Sequence, residues 1–215
     1  MNESIIRDDV VHGIHLRFED LKESGTVAFV FGELKNDYYG LERISLSEKD
    51  TVIDVGANVG MFSIYIRKKF GCRVIAFEPV PLNIYHFKRN ILLNNLTDND
   101  IEIHQTAITS QDENIIRIGT PFYNTGGSSV FHVSNSTECH TESLHKYIDF
   151  TCRYLKIDCE GCKYEIIPSI INEINHFDYI GIEYHKYIGS QDPHSLHDLL
   201  RKSFNGVIFY KEFGS

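Results

Sequence analysis

The segment Thr51–Gly60, with the sequence TVIDVGANVG, constrains the fold of this chain more than any other. It starts as a short, wholly apolar run, which is typical of a parallel strand buried on both faces. It then passes through Gly56, Ala57, Asn58 and Gly60 into a helical pattern, so the backbone of this turn can approach a ligand closely. This order of strand, glycine turn and helix predicts a nucleoside-binding unit.

The spacing within this segment distinguishes between nucleotide ligands. It reads Asp-x-Gly-x-x-x-Gly from Asp54. A dinucleotide fingerprint, Gly-x-Gly-x-x-Gly, would have its first glycine where Asp54 stands. A carboxylate there repels a pyrophosphate and suits a cationic ligand. S-adenosylmethionine carries both a sulfonium and an ammonium group, so the segment predicts this cofactor, with Asp54 on its amine side.

A second nucleoside signal follows the predicted helix. Arg73–Phe77 is another short apolar run, and Glu78 and Pro79 end it. Glu78 lies about 20 residues after the glycine turn, where a carboxylate accepts hydrogen bonds from both ribose hydroxyls. The alternative interpretation is a solvated loop acid. The complete order of strand, turn, helix, strand and acid favours the nucleoside interpretation.

The third strand of this half is predicted at 101–108. If strands 51–56 and 73–77 are its neighbours, the end of this strand lies beside the adenine. Thr106 and Ala107 would then complete the cofactor site.

Hydrophobic periodicity predicts strands and helices over the rest of the chain. The predicted strands are 14–18, 26–31, 114–118, 151–157, 177–183 and 206–213. The predicted helices are 34–47, 61–70, 81–95, 163–174 with a break at Pro168, and 194–202. The positions predicted to be buried in helix 81–95 are Leu82, Tyr85, Ile91 and Leu92. The segments predicted to be irregular are a loop at the active-site mouth (122–131) and a polar, mobile stretch (134–142).

Alternating strands and helices predict the fold class. They indicate an α/β, Rossmann-like, doubly wound and mostly parallel sheet with helices on both faces. The 215 residues are expected to form one domain, with 1–50 as an N-terminal lead-in that caps the site and 51–215 as the catalytic core. Ligands of such sheets bind outside the carboxyl ends of the strands. Four carboxylates fall at such ends: Asp54, Glu78, Asp158 and Glu183.

Composition argues against several classes of function. The formal net charge of −9 argues against a phosphate backbone as the main source of affinity, so a nucleic-acid partner is not expected. No apolar run reaches membrane-spanning length and the N-terminus is polar, so neither membrane insertion nor a signal peptide is expected. Five cysteines, an odd count in a chain of ordinary length, favour a reduced cytoplasmic setting.

Four segments together resemble a known family. They are Val52–Gly60, Phe77–Pro79, Gly127–Ser129 and Leu155–Gly161 (LKIDCEG), and the last is followed by a strand that ends Glu-Tyr-His. With these segments the chain resembles the FkbM-type methyltransferases. The resemblance implies a class I methyltransferase fold and an S-adenosylmethionine-dependent O-methyltransferase. Substrates of that family are hydroxyls of polyketides, sugars, other glycans and secondary metabolites, so the expected partner is a small-molecule or glycan acceptor.

The acceptor hydroxyl must lose its proton, and three interpretations of His185 are open. The favoured one is a general base, because an unperturbed imidazole titrates near neutral pH. Asp158 and Glu183 are then further catalytic candidates, and Asp158 also borders the cofactor. Alternatively, Asp158, Glu183 and His185 hold a divalent cation such as Mg²⁺, which lowers the pKa of the acceptor hydroxyl. In the third interpretation His185 caps its strand.

Cys159 and Cys162 form a Cys-x-x-Cys sequence, which raises redox and zinc interpretations. Zinc would need a second pair at suitable spacing, which Cys139 and Cys152 do not supply. FkbM-type sequences usually have valine and a small residue at positions 159 and 162, so a structural replacement is favoured.

Three other functions compete with O-methyl transfer. An RNA methyltransferase on the same fold is opposed by the acidic net charge. An NAD-dependent oxidoreductase is opposed by Asp54, which replaces the first fingerprint glycine. A non-catalytic protein that binds S-adenosylmethionine is opposed by the presence of both Asp54 and Glu78.

Overall fold

A computed structural model describes residues 3–112, 114–119, 136–159, 161–185 and 192–213. The strands are β1 (Ser4–Val11), β2 (Ile14–Leu21), β3 (Thr51–Val55), β4 (Arg73–Phe77), β5 (Glu102–His104), β6 (Ala107–Thr109), β7 (Ile115–Gly119), β8 (Ser136–Ser143), β9 (Cys152–Ile157), β10 (Tyr179–His185) and β11 (Val207–Phe213). The α-helices are α1 (Thr26–Lys35), α2 (Met61–Phe70), α3 (Pro81–Leu93), α4 (Lys163–Ser169) and α5 (Pro193–Ser203).

The main sheet has six strands in the order β11-β10-β9-β3-β4-β5. All neighbouring strands in it are parallel. The chain runs outward from β3 to β5, then returns to β9 and runs outward to β11, so the strand order reverses between β3 and β9. This confirms the predicted doubly wound parallel sheet. In such sheets, ligands bind at the carboxyl ends of the strands where the order reverses.

Alternate residues of the central strands contribute to two separate apolar cores. Val52, Val74 and Ala76 pack in one core with α2, α3 and the N-terminal lead-in. Ile53 and Ile75 pack in the other core with α4 and α5. Every residue of β3 is buried because both faces of the strand are covered, which explains its continuous apolar sequence.

The helix after the glycine turn has the predicted boundaries. α2 begins after Gly60 and ends at Phe70. Gly71, which follows it, has a left-handed φ of 69°, as is common where a helix ends. β4 and the start of α3 at Pro81 also agree with prediction. This half of the sheet is specified by local sequence patterns.

The buried face of α3 differs from the predicted one. Three positions predicted to be buried are exposed: Leu82, Tyr85 and Leu92. Ile91 is buried, as predicted. The helix turns Asn90 inward, where its side chain accepts a hydrogen bond from the Glu19 amide and donates one to the Glu19 carbonyl. Polar side chains of α3 face the core. The apolar pattern alone therefore predicted the wrong buried face for this helix.

The strand predicted at 26–31 is wrong, because these residues begin the helix α1. Val27, Phe31 and Leu34 lie at helical spacing and are buried in the core. The apolar run is too short for its period to separate a strand from a helix, and packing against the sheet decides in favour of the helix.

The helix predicted over 34–47 is also wrong. α1 ends at Lys35, and residues 36–50 run through turns and bends. Asp37 and Gly40 have φ values of 52° and 70°, which are left-handed and incompatible with a continuing helix. β2 contains the strand predicted at 14–18 and pairs with β1 in an antiparallel hairpin.

A second sheet has three strands in the order β6-β8-β7. The single strand predicted at 101–108 is wrong, since β5 pairs in the main sheet and β6 in this one. The mobile stretch predicted at 134–142 is wrong from residue 136 on, because β8 pairs with both of its neighbours and buries Cys139 and Thr141. β7 corresponds to the predicted strand 114–118. The predicted loop 122–131, with the segment Gly127–Ser129, lies outside the described residues.

The C-terminal part follows the predicted order. α4 ends at Ser169, directly after Pro168, as the predicted break requires. β10, α5 and β11 correspond to the predicted strand, helix and strand, and β11 is a parallel edge strand. Among the described residues, no helix is both long and apolar enough to cross a membrane.

Candidate cofactor and active site

The turn between β3 and α2 has a backbone shape that requires glycine at two positions. Gly56 has a φ of +81°, and a Cβ there would overlap the carbonyl oxygen of Asp158. Gly60 has a φ of +86°, and a Cβ there would overlap the ring of Phe87. Packing within the protein therefore requires both glycines, in addition to any approach of a ligand.

Hydrogen bonds fasten this turn to the end of β4. The amides of Gly56 and Ala57 both donate to the Phe77 carbonyl at 3.0 Å. The amide of Asn58 donates to the Glu78 carboxylate at 2.9 Å. Asn58 itself has a φ of 53°, a left-handed value that asparagine tolerates better than most residues. The turn and Glu78 thus form one connected unit.

Asp54 is fully buried at the end of β3, with 0% of its surface exposed. Its carboxylate accepts hydrogen bonds from the Ser63 hydroxyl at 2.7 Å and from the Lys156 ammonium at 3.1 Å. Asp54 and Lys156 are register partners on the parallel strands β3 and β9. Both carboxylate oxygens therefore have partners within the protein, and direct contact between Asp54 and a ligand stays a prediction.

Lys156 brings a positive charge to the point where the strand order reverses. Its ammonium donates to the Gly56 carbonyl at 3.1 Å and lies 3.5 Å from the Asp158 carboxylate. It also lies 5.9 Å and 5.6 Å from the ring centroids of Tyr39 and Phe62, within the range of cation–π attraction. Lys156 therefore connects β3, β9, the glycine turn and the lead-in.

Neighbouring carboxylates stabilise the positive charge of Lys156. Burial disfavours the ammonium, but the carboxylates of Asp54, Asp158 and Glu183 outweigh burial and raise the pKa of Lys156. No role was predicted for Lys156 from the sequence. The available signal was a lysine inside the otherwise apolar run 154–157, because a lysine buried in a strand needs an acidic partner.

Glu78 lies at the end of β4 with 4% of its surface exposed. Its carboxylate accepts hydrogen bonds from the amides of Asn58 and Val80, each at 2.9 Å, and from the Asn83 side chain at 3.1 Å. Burial raises the pKa of Glu78 to about 7, although these hydrogen bonds favour the ionised form. Glu78 is therefore a fixed hydrogen-bond acceptor beside the glycine turn.

The other predicted nucleoside contacts lie near the ends of β4 and β5. The carbonyl of Pro79 accepts a hydrogen bond from the Cys139 thiol at 3.5 Å. The Thr106 hydroxyl donates to the His140 carbonyl at 2.9 Å, and Ala107 is buried at the start of β6. Contact of these residues with an adenine stays a prediction.

A cavity that is open to solvent lies at the glycine turn, with about 300 Å³ of space when the open solvent is included. The turn and α2 line it from Gly56 to Phe62, and Lys156 and Asp158 line it from the end of β9. The lead-in contributes a further wall with Thr26, Val30 and Tyr39. The first 50 residues therefore help to enclose the predicted cofactor site.

The predicted catalytic carboxylates Asp158 and Glu183 lie at the ends of neighbouring strands. The Asp158 side chain is 31% exposed, whereas Glu183 is buried and accepts a hydrogen bond from the Tyr39 hydroxyl. His185 ends β10, but its side chain lies outside the described part of the structure. Among the described residues, no three His, Cys, Asp or Glu side chains are gathered as metal ligands. The base and magnesium roles of His185 both stay predictions.

A carboxylate that sequence analysis missed lies beside Glu183. Glu33 of α1 is 2% exposed, and its carboxylate lies 3.3 Å from the Tyr39 hydroxyl and 2.8 Å from the Lys211 ammonium. Burial and the neighbouring Glu183 raise the pKa of Glu33 to about 7. Because 26–31 was predicted to be a strand, the sequence did not indicate that Glu33 would reach this site.

Cys159 and Cys162 are joined in a disulfide, with their Cα atoms 5.6 Å apart. The link follows directly after Asp158. The two cysteines therefore act as a pair, where sequence analysis favoured two separate structural replacements. Three other cysteines are free and buried among the described residues: Cys72, Cys139 and Cys152.

The fold and the site define a class of protein. A doubly wound parallel sheet, a glycine turn where the strand order reverses and an acid at the end of the next strand are the features of a Rossmann-like class I methyltransferase fold. The family model described as the methyltransferase FkbM domain matches residues 54–206. The chain belongs to this family, as its sequence segments predicted.

Two curated proteins are similar to part of the chain. Methyltransferase 1 of Beauveria bassiana (strain ARSEF 2860) is 29% identical over 157 residues, which cover 60% of this chain and 61% of that protein. Methyltransferase sdnD of Sordaria araneosa is 26% identical over 119 residues, which cover 55% of this chain and 44% of that protein. The chain thus spans less than two thirds of either relative.

Among solved structures, Pyrococcus horikoshii TYW2 in complex with MeSAdo aligns with a TM-score of 0.32 and 15% identity. The alignment covers 52% of this chain and 51% of that chain.

Proposed function

We propose that this chain is an S-adenosylmethionine-dependent O-methyltransferase that acts on a hydroxyl of a small molecule, a sugar or other glycan, or a secondary metabolite. The observation that carries the proposal is Glu78, a buried carboxylate at the end of β4 that is hydrogen-bonded to the glycine turn through the Asn58 amide at 2.9 Å. Membership of the FkbM family supports methyl transfer as the reaction. The hydroxyl acceptor is supported by the family resemblance of the sequence.

The cavity, together with residues beside it at the ends of β4 and β5, would hold a nucleoside with a charged amino-acid tail. Glu78 would accept hydrogen bonds from the ribose hydroxyls, and Thr106 and Ala107 would border the adenine. The turn from Gly56 to Gly60 leads into α2, whose free amides carry partial positive charge that suits the carboxylate of the tail. When bound, the sulfonium supplies a methyl group that is already activated for transfer.

Asp54 and Asp158 would have different roles on the amine side of the cofactor. Asp158 lines the cavity and is partly exposed, so it can face the ammonium of the cofactor. Asp54 is buried and holds Lys156, which in turn fixes the Gly56 carbonyl. Asp54 would therefore act on the ligand mainly by shaping the turn.

The remaining task of the protein is to align the acceptor oxygen with the methyl group and to remove its proton. His185, Asp158 and Glu183 are the proposed catalytic residues, with His185 as the favoured base. Mg²⁺ bound by the same three residues is the alternative. Both Asp158 and Glu183 lie close enough to Lys156 to raise its pKa, so this rim of the sheet carries strong local charges.

Two other functions remain as alternatives within this fold. RNA methylation is disfavoured by the formal net charge of −9. A protein that binds the cofactor without catalysis would retain the nucleoside site but transfer no methyl group. The cytoplasmic location expected from the cysteine count belongs to the same proposal.

The test is incubation with methyl-labelled S-adenosylmethionine and a panel of hydroxylated acceptors, with and without EDTA. The panel should include sugars, polyketide-like phenols and alcohols, and an RNA sample. Label in a hydroxylated product supports the proposal, and label in RNA alone would replace it with the RNA alternative. Loss of labelling in EDTA, restored by Mg²⁺, would favour the metal mechanism over the histidine base. Cofactor binding without labelling of any acceptor would favour the non-catalytic alternative.

A further inference from the structure

We propose that Cys159 and Cys162 are a site of reversible thiol–disulfide modification that sets the affinity of the chain for its cofactor. The disulfide that joins them is the oxidised state of this site. It fastens the wall of the cavity at Asp158, and its reduction releases that wall. The cofactor concerned is S-adenosylmethionine, and in this respect the inference rests on the proposed function.

One end of the disulfide follows directly after a residue of the cavity wall. Asp158 and Gly56 both line the cavity. A Cβ added at Gly56 would overlap the Asp158 carbonyl oxygen and lie 3.4 Å from the Cys159 amide nitrogen. The Asp158 amide donates a hydrogen bond to the Val55 carbonyl at 2.9 Å. The peptide unit that joins Asp158 to Cys159 is therefore packed against the glycine turn.

The other end of the disulfide is attached to a helix that the core holds in place. Cys162 directly precedes α4, and its carbonyl accepts hydrogen bonds from the amides of Glu165 and Ile166, each at 3.0 Å. Ile166 and Ile167 of this helix are fully buried in the apolar core. The disulfide therefore ties the cavity wall at Asp158 to a helix that is fixed by packing.

Asp158 is the residue through which the disulfide reaches the ligand. Its carboxylate lies 3.5 Å from the Lys156 ammonium, and its side chain is 31% exposed at the cavity. Under the proposed function this carboxylate faces the ammonium of the cofactor. A segment that is already held in its bound conformation loses less entropy when the ligand binds. The disulfide should therefore raise the affinity for the cofactor.

The cysteine pair is more accessible than the other thiols. Cys159 and Cys162 are partly buried at the edge of their core, whereas Cys72, Cys139 and Cys152 are free and buried. Burial raises the pKa of each of these three thiols, and a protonated thiol is not the reactive form. Exchange with an external dithiol is therefore expected at the pair and not at the buried thiols.

The spacing of the pair also favours redox chemistry. Cys-x-x-Cys is the spacing of exchanging dithiols. A zinc site would need further ligands, and the described ranges hold no cluster of three such side chains. In a reducing compartment, such as the cysteine count favours, disulfides are mostly catalytic or redox-sensing. A reversible disulfide fits such a setting, because its reduced form is the other state of the site.

A dithiol supplies the electrons for the reduction. One of its sulfurs attacks a sulfur of the pair, so the bond between Cys159 and Cys162 breaks and a mixed disulfide forms. The second sulfur of the reductant then breaks the mixed disulfide, and the reductant leaves as a disulfide. Two electrons and two protons pass to the pair, which ends as two thiols. A disulfide oxidant reverses the reaction.

The first measurement counts thiols in the wild-type chain. After treatment with oxidised glutathione, denaturation and alkylation should label three cysteines. After treatment with dithiothreitol, the same procedure should label all five. Alkylation of the reduced chain before denaturation should label Cys159 and Cys162 ahead of the buried thiols. Five labelled cysteines after oxidation would overturn the inference, because the pair would then form no disulfide.

The second measurement is titration calorimetry of S-adenosylhomocysteine with the oxidised and the reduced wild-type chain. Reduction should weaken binding about three- to tenfold, because the released wall must be ordered again on binding. Reoxidation should restore the affinity. Equal affinity of the two forms, with their thiol counts verified, would overturn this inference and leave the proposed function intact.

Two variants identify the cysteines responsible. The double variant Cys159→Ser with Cys162→Ser should bind S-adenosylhomocysteine as the reduced wild type does, with or without dithiothreitol. The matched control is Cys72→Ala, which removes a free, buried thiol and should respond to dithiothreitol as wild type does. A response that persists in the double variant would overturn the assignment to this pair.

Hydrogen exchange on the chain without ligand tests the constraint independently of the cofactor. Reduction should speed exchange at the amides of Asp158, Glu165 and Ile166 and leave β4 unchanged. Unchanged exchange at Asp158 in the reduced chain would overturn the inference. Faster exchange in a chain that binds S-adenosylhomocysteine in neither form would support the modification site and contradict the proposed function.

Discussion

Lys156 donates a hydrogen bond to Asp54 at 3.1 Å, between register partners on adjacent strands at the point where the strand order reverses. The two residues are separated by 102 positions in the chain. Both are buried, with side chains 4% and 0% exposed. The pair therefore joins the two halves of the sheet at the base of the cavity.

This pair gives the first prediction. Lys156→Met should destabilise the protein by about 3–5 kcal/mol, because it leaves the buried Asp54 carboxylate without its cation. The double variant Asp54→Asn with Lys156→Met should be more stable than Lys156→Met alone, since the fully buried carboxylate is then absent. Urea unfolding followed by circular dichroism measures both. Equal stability of Lys156→Met and wild type would show that the pair does not form.

The second prediction concerns Glu78. At a pH above about 7, where Glu78 is ionised, Glu78→Ala should weaken the binding of S-adenosylhomocysteine by about 1.5–3 kcal/mol, because hydrogen bonds to a charged partner are lost. Glu102→Gln, on the neighbouring strand β5, removes a partly exposed carboxylate that is paired with Arg73 and serves as the control. Titration calorimetry on both variants decides the point. Unchanged affinity in Glu78→Ala would remove this residue from the site.

The third prediction concerns stability and pH. A glutamate with an ordinary pKa of 4.5 is ionised above that pH in the unfolded chain, whereas burial raises the pKa of Glu78 to about 7 in the folded protein. Between these values the folded state holds a proton that the unfolded state has lost, so stability should fall as pH rises from about 4.5 to about 7.

Across this range, Glu78 should lower the free energy of unfolding by ~3 kcal/mol, since each unit of pKa shift corresponds to about 1.4 kcal/mol. Burial and Glu183 raise the pKa of Glu33 in the same direction. Thermal or urea unfolding across this range should show a smaller fall in Glu78→Gln than in wild type. A stability that rises across the range in wild type would contradict the assignment of either carboxyl as buried and protonated.

The fourth prediction separates two kinds of glycine. Gly56→Ala should destabilise the fold by more than the ~1–2 kcal/mol expected for a left-handed residue, because its Cβ also meets the Asp158 carbonyl. Gly71→Ala is the matched control, since Gly71 has a φ of +69° but nothing within 4 Å of an added Cβ. Unfolding free energies compare them directly. Similar costs at the two positions would show that the turn does not pack against Asp158 as described.

The sequence predicted the strand β3, the helix α2 and Glu78 because each depends on neighbouring residues. A buried parallel strand, a glycine turn and an acid after the next strand are patterns of short range. The first 50 residues were predicted poorly, since the run 26–31 becomes a helix only when Val27 and Phe31 pack in the core. The hydrophobic periodicity of so short a run does not show how it will pack in the core.

The site shows the same division. The positions of Asp54 and Glu78 at strand ends followed from pattern, but the partner of Asp54 depends on the register between β3 and β9. Glu33 reaches Glu183 only because α1 is a helix and Tyr39 lies between them. Sequence patterns did not reveal these contacts, because they join residues that are far apart in the chain and depend on how the lead-in packs.

We propose that the cavity at the glycine turn binds S-adenosylmethionine. Titration calorimetry of the wild-type chain with S-adenosylmethionine and S-adenosylhomocysteine, with NAD as the control ligand, tests it most directly. Both ligands should bind saturably at one site per chain, more weakly in Glu78→Ala, and NAD should not bind. Binding of NAD in place of these ligands, or full-strength binding of S-adenosylhomocysteine in Glu78→Ala, would contradict it.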